Sequence, residues 1–205
     1  MIKLIVRASL LAAMLMAATA IANATTFTYS TQGCFGALCV PGATTTLPIG
    51  GGSLMYTGET LTTLQTPTSA QLGAFTWVGT PGGAIAPTAF TLQITQTAPG
   101  PTSTGTFSAL VSGTVAVSVN GNSSSTVVLF SNTSVTINGV TYQITNLGGA
   151  GVGGNVLVIN PPFQPTTIQS LVVAPNAVPE PTSMFLLGTG LVGLAGYARK
   201  RVKRS

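Results

Sequence analysis

The chain has 205 residues and a formal net charge of +5, carried by seven Lys and Arg against two acidic residues, with no histidine. It also has no aspartate, and its two glutamates, Glu59 and Glu180, are far apart, the second in the C-terminal segment, so a Ser-His-Asp triad, a histidine metal site and paired catalytic carboxylates are excluded from the outset. All seven cations, Lys3, Arg7, Arg199, Lys200, Arg201, Lys203 and Arg204, lie near the two ends, and Glu59 is the only charged side chain between Thr25 and Val178. The basic pI of 9.7 therefore does not describe the body of the protein, which has no Lys or Arg with which to bind phosphate, and a nucleic-acid partner is rejected.

At the N-terminal end, Lys3 and Arg7 precede an apolar run from Ala8 to Ala22, followed by Ala22-Asn23-Ala24. This order of a basic start, a short apolar stretch and small residues predicts a signal peptide over residues 1–24. Signal peptidase is expected to cleave after Ala24, with Ala22 and Ala24 as the small recognition residues and Thr25 as the new N-terminus. Ala18-Thr19-Ala20 is a second candidate site.

Residues 25–173 are then an exported body. Its cysteines, Cys34 and Cys39, enclose Phe35-Gly36-Ala37-Leu38, and in an oxidising compartment a disulfide that pins this turn is the expected state. Neither cysteine has a histidine or cation near it in sequence to lower its pKa, and there is no second pair of ligands for a metal. No catalytic residue, cofactor or metal is expected, and the chain is read as not an enzyme.

Between Thr25 and Val178 there are 30 Thr and 13 Ser, punctuated throughout by Gly and Pro, a composition that favours strands over helices. In chain order, strands are expected at Thr26 to Tyr29, Ser53 to Tyr56, Ala74 to Val78, Phe90 to Thr95, Thr104 to Val111, Val115 to Val119 and Thr126 to Phe130. Val135 to Ile137 and Val140 to Ile144 flank Asn138-Gly139, a strong hairpin signal. Val156 to Ile159 and Ile168 to Val173 complete a set of about nine to eleven strands. Loops are expected at Pro41 to Gly52, Gly79 to Thr88, Ala98 to Gly105 and Leu147 to Gly154. The last is Gly-rich, but no Lys follows it and no helical pattern comes after it, so a nucleotide role fails.

The fold class expected is all-β, an antiparallel β-sandwich of jelly-roll or immunoglobulin-like type. Its solvent face would carry Thr, Ser, Gln and Asn in place of charges, which leaves it poorly defended against self-association or glycan coating. Phe75 and Trp77, two apart on one strand, are the candidate for a sugar-stacking platform, although a lone Trp is more commonly packed in a core.

A spacer at 174–178 leads into Pro179-Glu180-Pro181, Thr182-Ser183, an apolar run from Met184 to Ala198 and the basic cluster Arg199 to Arg204. Pro179 and Pro181 fix their own φ and push Val178 and Glu180 toward extended backbone, the form in which a protease binds a substrate. The 15 apolar residues would make a helix of about 22 Å, short of a hydrocarbon core of about 30 Å. A transmembrane helix is assigned to residues 183–198 and a cytoplasmic tail to 199–205, on the basic residues that flank the run. Gly188, Gly190, Gly193 and Gly196 weaken this helix, as suits a segment read and then discarded more than a permanent anchor.

These blocks over residues 179–205 resemble the PEP-CTERM sorting signal of Gram-negative bacteria. The resemblance implies recognition of Pro179, Glu180 and Pro181 by exosortase, a membrane cysteine transpeptidase, and accompaniment of exopolysaccharide production. On this reading the protein is a surface-sorted structural or adhesive one, an inner-membrane precursor that moves to the cell surface or extracellular matrix. The partners implied are exosortase, signal peptidase, the membrane and exopolysaccharide. A glycan-binding module and a plain single-span membrane protein are the alternatives.

Overall fold

A computed structural model describes residues 24–117, 121–148, 154–162 and 164–174. Ala24–Ala174 form one compact unit, built among the described residues of twelve strands and no helix. The strands are β1 (Thr26–Phe35), β2 (Thr44–Thr57), β3 (Thr62–Gln65), β4 (Thr68–Pro81), β5 (Gly83–Ala98), β6 (Ser103–Ala116), β7 (Ser123–Ser124), β8 (Val127–Phe130), β9 (Ser134–Ile137), β10 (Val140–Ile144), β11 (Val156–Val158) and β12 (Thr166–Val173).

They pair antiparallel in two sheets. The larger, of seven strands, runs β11-β8-β6-β5-β1-β3 with β7 beside β6, and the smaller, of five, runs β2-β4-β12-β10-β9. Period-two alternation decides which side of each strand is buried. On β1, Phe27, Tyr29 and Thr31 point inward while Thr28, Ser30 and Gln32 are only partly covered. On β5 the inward set is Phe90, Leu92, Ile94 and Gln96. Together with Leu54, Leu72, Phe75, Tyr142 and Ile168 from the smaller sheet, the apolar members of these sets, Phe27, Tyr29, Phe90, Leu92 and Ile94, form one continuous hydrophobic core.

Two aromatic groups stand out within it. Phe75 and Phe90, with ring centroids 5.1 Å apart, join Phe35 and Tyr56, while Phe27, Tyr29 and Tyr142 meet at 5.7–6.0 Å. Such offset and edge contacts add to the burial of area.

The Asn138-Gly139 turn joins β9 to β10 with both residues at positive φ, 48° and 77°. That is the two-residue turn whose twist matches the flanking strands.

Two expected loops are instead strand. Thr44 to Gly52 belongs to β2, and Gly79 to Pro81 and Gly83 to Thr88 belong to β4 and β5. The glycines that read as loop are there for close approach: a Cβ on Gly52 would meet the Val78 carbonyl and lie 2.7 Å from the Pro81 nitrogen. Strands β3 and β7, four and two residues long, carry too little apolar periodicity to stand out in sequence. The strand expected at Val115 to Val119 is the end of β6, which stops at Ala116, and its remainder runs into undescribed residues.

Candidate functional site

The two ends of the body emerge at one pole. Thr25 donates its N–H to the Thr66 hydroxyl at 3.2 Å, and the Thr66 N–H returns a bond to the Thr25 carbonyl at 3.0 Å. Two residues on, Thr68 lies opposite Val172 in the smaller sheet. The link from β3 to β4 thus crosses from one sheet to the other between the start of β1 and the end of β12. Ala24, at the expected signal-peptidase bond, is exposed at this pole beside Thr25. Ala22, the other small recognition residue, lies outside the described residues. So do the sorting tripeptide Pro179, Glu180 and Pro181, the apolar run 183–198 and the basic tail 199–205. Among the described residues no helix is long and apolar enough to cross a membrane.

Cys34 and Cys39 form a disulfide with Cα atoms 5.8 Å apart. It sits at the far end of β1, about 27 Å from Thr26 at the strand rise per residue. The Gly36 N–H donates to the Ala89 carbonyl at 2.7 Å, and Gly33 and Gly42 exchange a pair of backbone bonds, so the turn is clamped to the larger sheet. Leu38 and Val40 project from it into solvent.

Phe75 and Trp77 do not form a sugar-stacking platform. They share a face of β4, but that face is the core: Phe75 is 0% exposed and Trp77 3%. Phe75 packs on Tyr56 and Phe90, and the Trp77 indole donates to the Asn160 carbonyl at 2.9 Å. Burying two large rings outweighs displaying them, because each removes a large apolar area from water.

The polar groups that enter the core are partnered. The Tyr56 hydroxyl donates to the Leu72 carbonyl at 2.6 Å, and the Thr31 hydroxyl donates to the same carbonyl at 3.0 Å while accepting the Glu59 N–H at 2.7 Å. Tyr29 donates to the Gln71 carbonyl at 2.7 Å. Burial, to which the Glu59 charge adds, pushes the Tyr29 hydroxyl up to about 12, and burial raises Tyr56 and Tyr142 as well. Among the described residues no three His, Cys, Asp or Glu side chains gather as a metal site would require.

The larger sheet also has a polar outer face that strand-by-strand reading does not reveal. Ser30, Thr95 and Thr104 lie side by side across β1, β5 and β6, and Gln32, Gln93 and Thr106 form the next row. The alternation of each strand is visible in the sequence, but the register that aligns these side chains is set by long-range pairing.

No curated protein and no solved structure matches the chain. Residues 177–201 match the family profile of the PEP-CTERM protein-sorting motif, a span that takes in Pro179, Glu180, Pro181, the whole apolar run from Met184 to Ala198 and the first basic residues after it. The chain carries a PEP-CTERM sorting signal on an all-β body, and that signal implies exosortase-dependent sorting of an exported protein.

Proposed function

We propose that this is a non-enzymatic structural or adhesive protein of the cell surface. It is made with a cleaved signal peptide, held in the inner membrane by residues 183–198, and processed by an exosortase-type transpeptidase that recognises Pro179, Glu180 and Pro181. The observation that carries this reading is the sorting-motif match over residues 177–201.

Three further features support it. Cations are confined to the terminal segments, which leaves the body with Glu59 as its one side-chain carboxylate and no Lys, Arg or His for catalysis. Both ends of the body leave from one pole, marked by the Thr25–Thr66 bond and the Thr68–Val172 pairing. Two sheets sharing one core support a β-sandwich body, held together by packing and one short disulfide. Its surface, rich in hydroxyl groups and with Glu59 as its one charged side chain, suits residence in extracellular polysaccharide or biofilm matrix.

The test is replacement of Pro179, Glu180 and Pro181 by alanine. Unprocessed protein should accumulate in the inner membrane, seen by fractionation and intact mass. Unchanged maturation and location would refute the proposal, and a wild-type protein found with its basic tail still attached would favour a plain single-span membrane protein.

A further inference from the structure

We infer that the outer face of the seven-stranded sheet is a binding surface for an uncharged, hydroxyl-rich polysaccharide. The inference deepens the surface role proposed above by naming the face and the ligand chemistry. Inward residues of β1, β5 and β6 fill the core, so Ser30, Thr95 and Thr104, with Gln32, Gln93 and Thr106 in the next row, face away from it. Strands stand about 4.8 Å apart and same-face residues recur about every 6.8 Å along each, so the side chains form a two-dimensional grid of hydroxyls and amides. It continues onto β3, where the Thr28 and Thr63 hydroxyls are hydrogen-bonded at 2.9 Å.

Three properties select the ligand. First, each hydroxyl and amide both donates and accepts, which is the complement of a polymer whose own groups are hydroxyls. Second, threonine is β-branched and stiff at χ1, so fixing it against a ligand costs less conformational entropy than fixing the long Lys and Glu side chains of an ordinary sheet surface. Third, the body has no Lys or Arg, so it offers no ion-pair partner to uronate, sulfate or phosphate groups and favours a neutral chain over an acidic one. A protein partner fits less well, because these rows hold no aromatic or Arg anchor. The exposed Leu110 and Leu129, paired on β6 and β8, lie beyond the rows.

The test is depletion of the detergent-purified full chain by cellulose and cross-linked dextran particles, with a carboxylated resin as the anionic comparator. Salt at about 0.5 M suppresses ion exchange by the terminal cations. Saturable binding to a neutral matrix is expected, weakened about tenfold or more in the double variant Gln93→Ala/Thr95→Ala. Thr136→Ala on the smaller sheet should bind as the wild type does, and unchanged Trp77 emission should show that each variant is folded. Binding to the carboxylated resin alone, no binding to either neutral matrix, or equal binding by the double variant would overturn the inference. Sorting is scored separately in cells: intact sorting without polysaccharide binding would sink only this inference, and binding without sorting would sink only the sorting proposal.

Discussion

Tyr142 and Gln96 meet across the core, the tyrosine hydroxyl donating to Oε1 of the glutamine at 2.9 Å. Tyr142 belongs to β10 in the smaller sheet and Gln96 to β5 in the larger, so this buried bond ties one sheet to the other. Gln96 is 0% exposed, and its amide nitrogen reaches the Pro99 carbonyl at 3.4 Å. In Tyr142→Phe the ring still fills its place, but the glutamine oxygen loses its partner in a water-poor site. A loss of about 1–3 kcal/mol is expected, measured by urea unfolding. An unchanged midpoint would mean that water replaces the hydroxyl.

The buried tyrosines set an alkaline limit. An unfolded tyrosine titrates near 10, whereas Tyr29 in the fold is held near 12. Between those values the unfolded chain has lost a proton that the folded chain keeps, so the unfolded state binds fewer protons and stability falls as pH rises. The stabilisation is fully present below about pH 10 and is lost as pH rises through about 12. Tyr56 and Tyr142 act in the same direction. Thermal unfolding followed across this range should show a decline that is smaller in Tyr29→Phe.

Removing the disulfide should trim stability without abolishing the fold. The loop it closes spans five positions in sequence, and in the chain-entropy model so short a loop contributes about 2 kcal/mol. The turn is also held by the Gly36 and Gly33–Gly42 backbone bonds. Cys34→Ser/Cys39→Ser should therefore retain its β-sheet circular dichroism while unfolding at lower urea. Loss of the sheet signal would show that the disulfide governs the whole body.

Trp77 offers a direct optical check on the core. With its ring buried and its indole bonded to Asn160, its emission should be blue-shifted, weakly quenched by iodide and unresponsive to soluble sugars. A saturable response to a soluble sugar would contradict the burial of Trp77 in the core.

At the β9–β10 turn, Gly139→Val would force a β-branched residue to positive φ. A cost of about 1–3 kcal/mol is expected by urea unfolding, with Gly139→Asn much milder because asparagine tolerates that region.

The chain by itself determined the address and the class. The sorting signal was readable because its parts are contiguous, from Pro179 through the apolar run to Arg204. The Asn138-Gly139 hairpin and the strand around Phe90 to Thr95 were equally readable, since turn chemistry and alternation act between near neighbours. What lay beyond reach depended on partners distant in sequence. The glycines of β2 look like a loop until Val78 and Pro81 of β4 are brought against them, and Phe75 and Trp77 look available to a sugar until the larger sheet covers their face. The same long-range pairing aligned Ser30 with Thr95 and Thr104 and brought Thr25 beside Thr66. Local patterns say which residues form a strand and which side is apolar; only the packing of one sheet on the other decides which of those sides meets water.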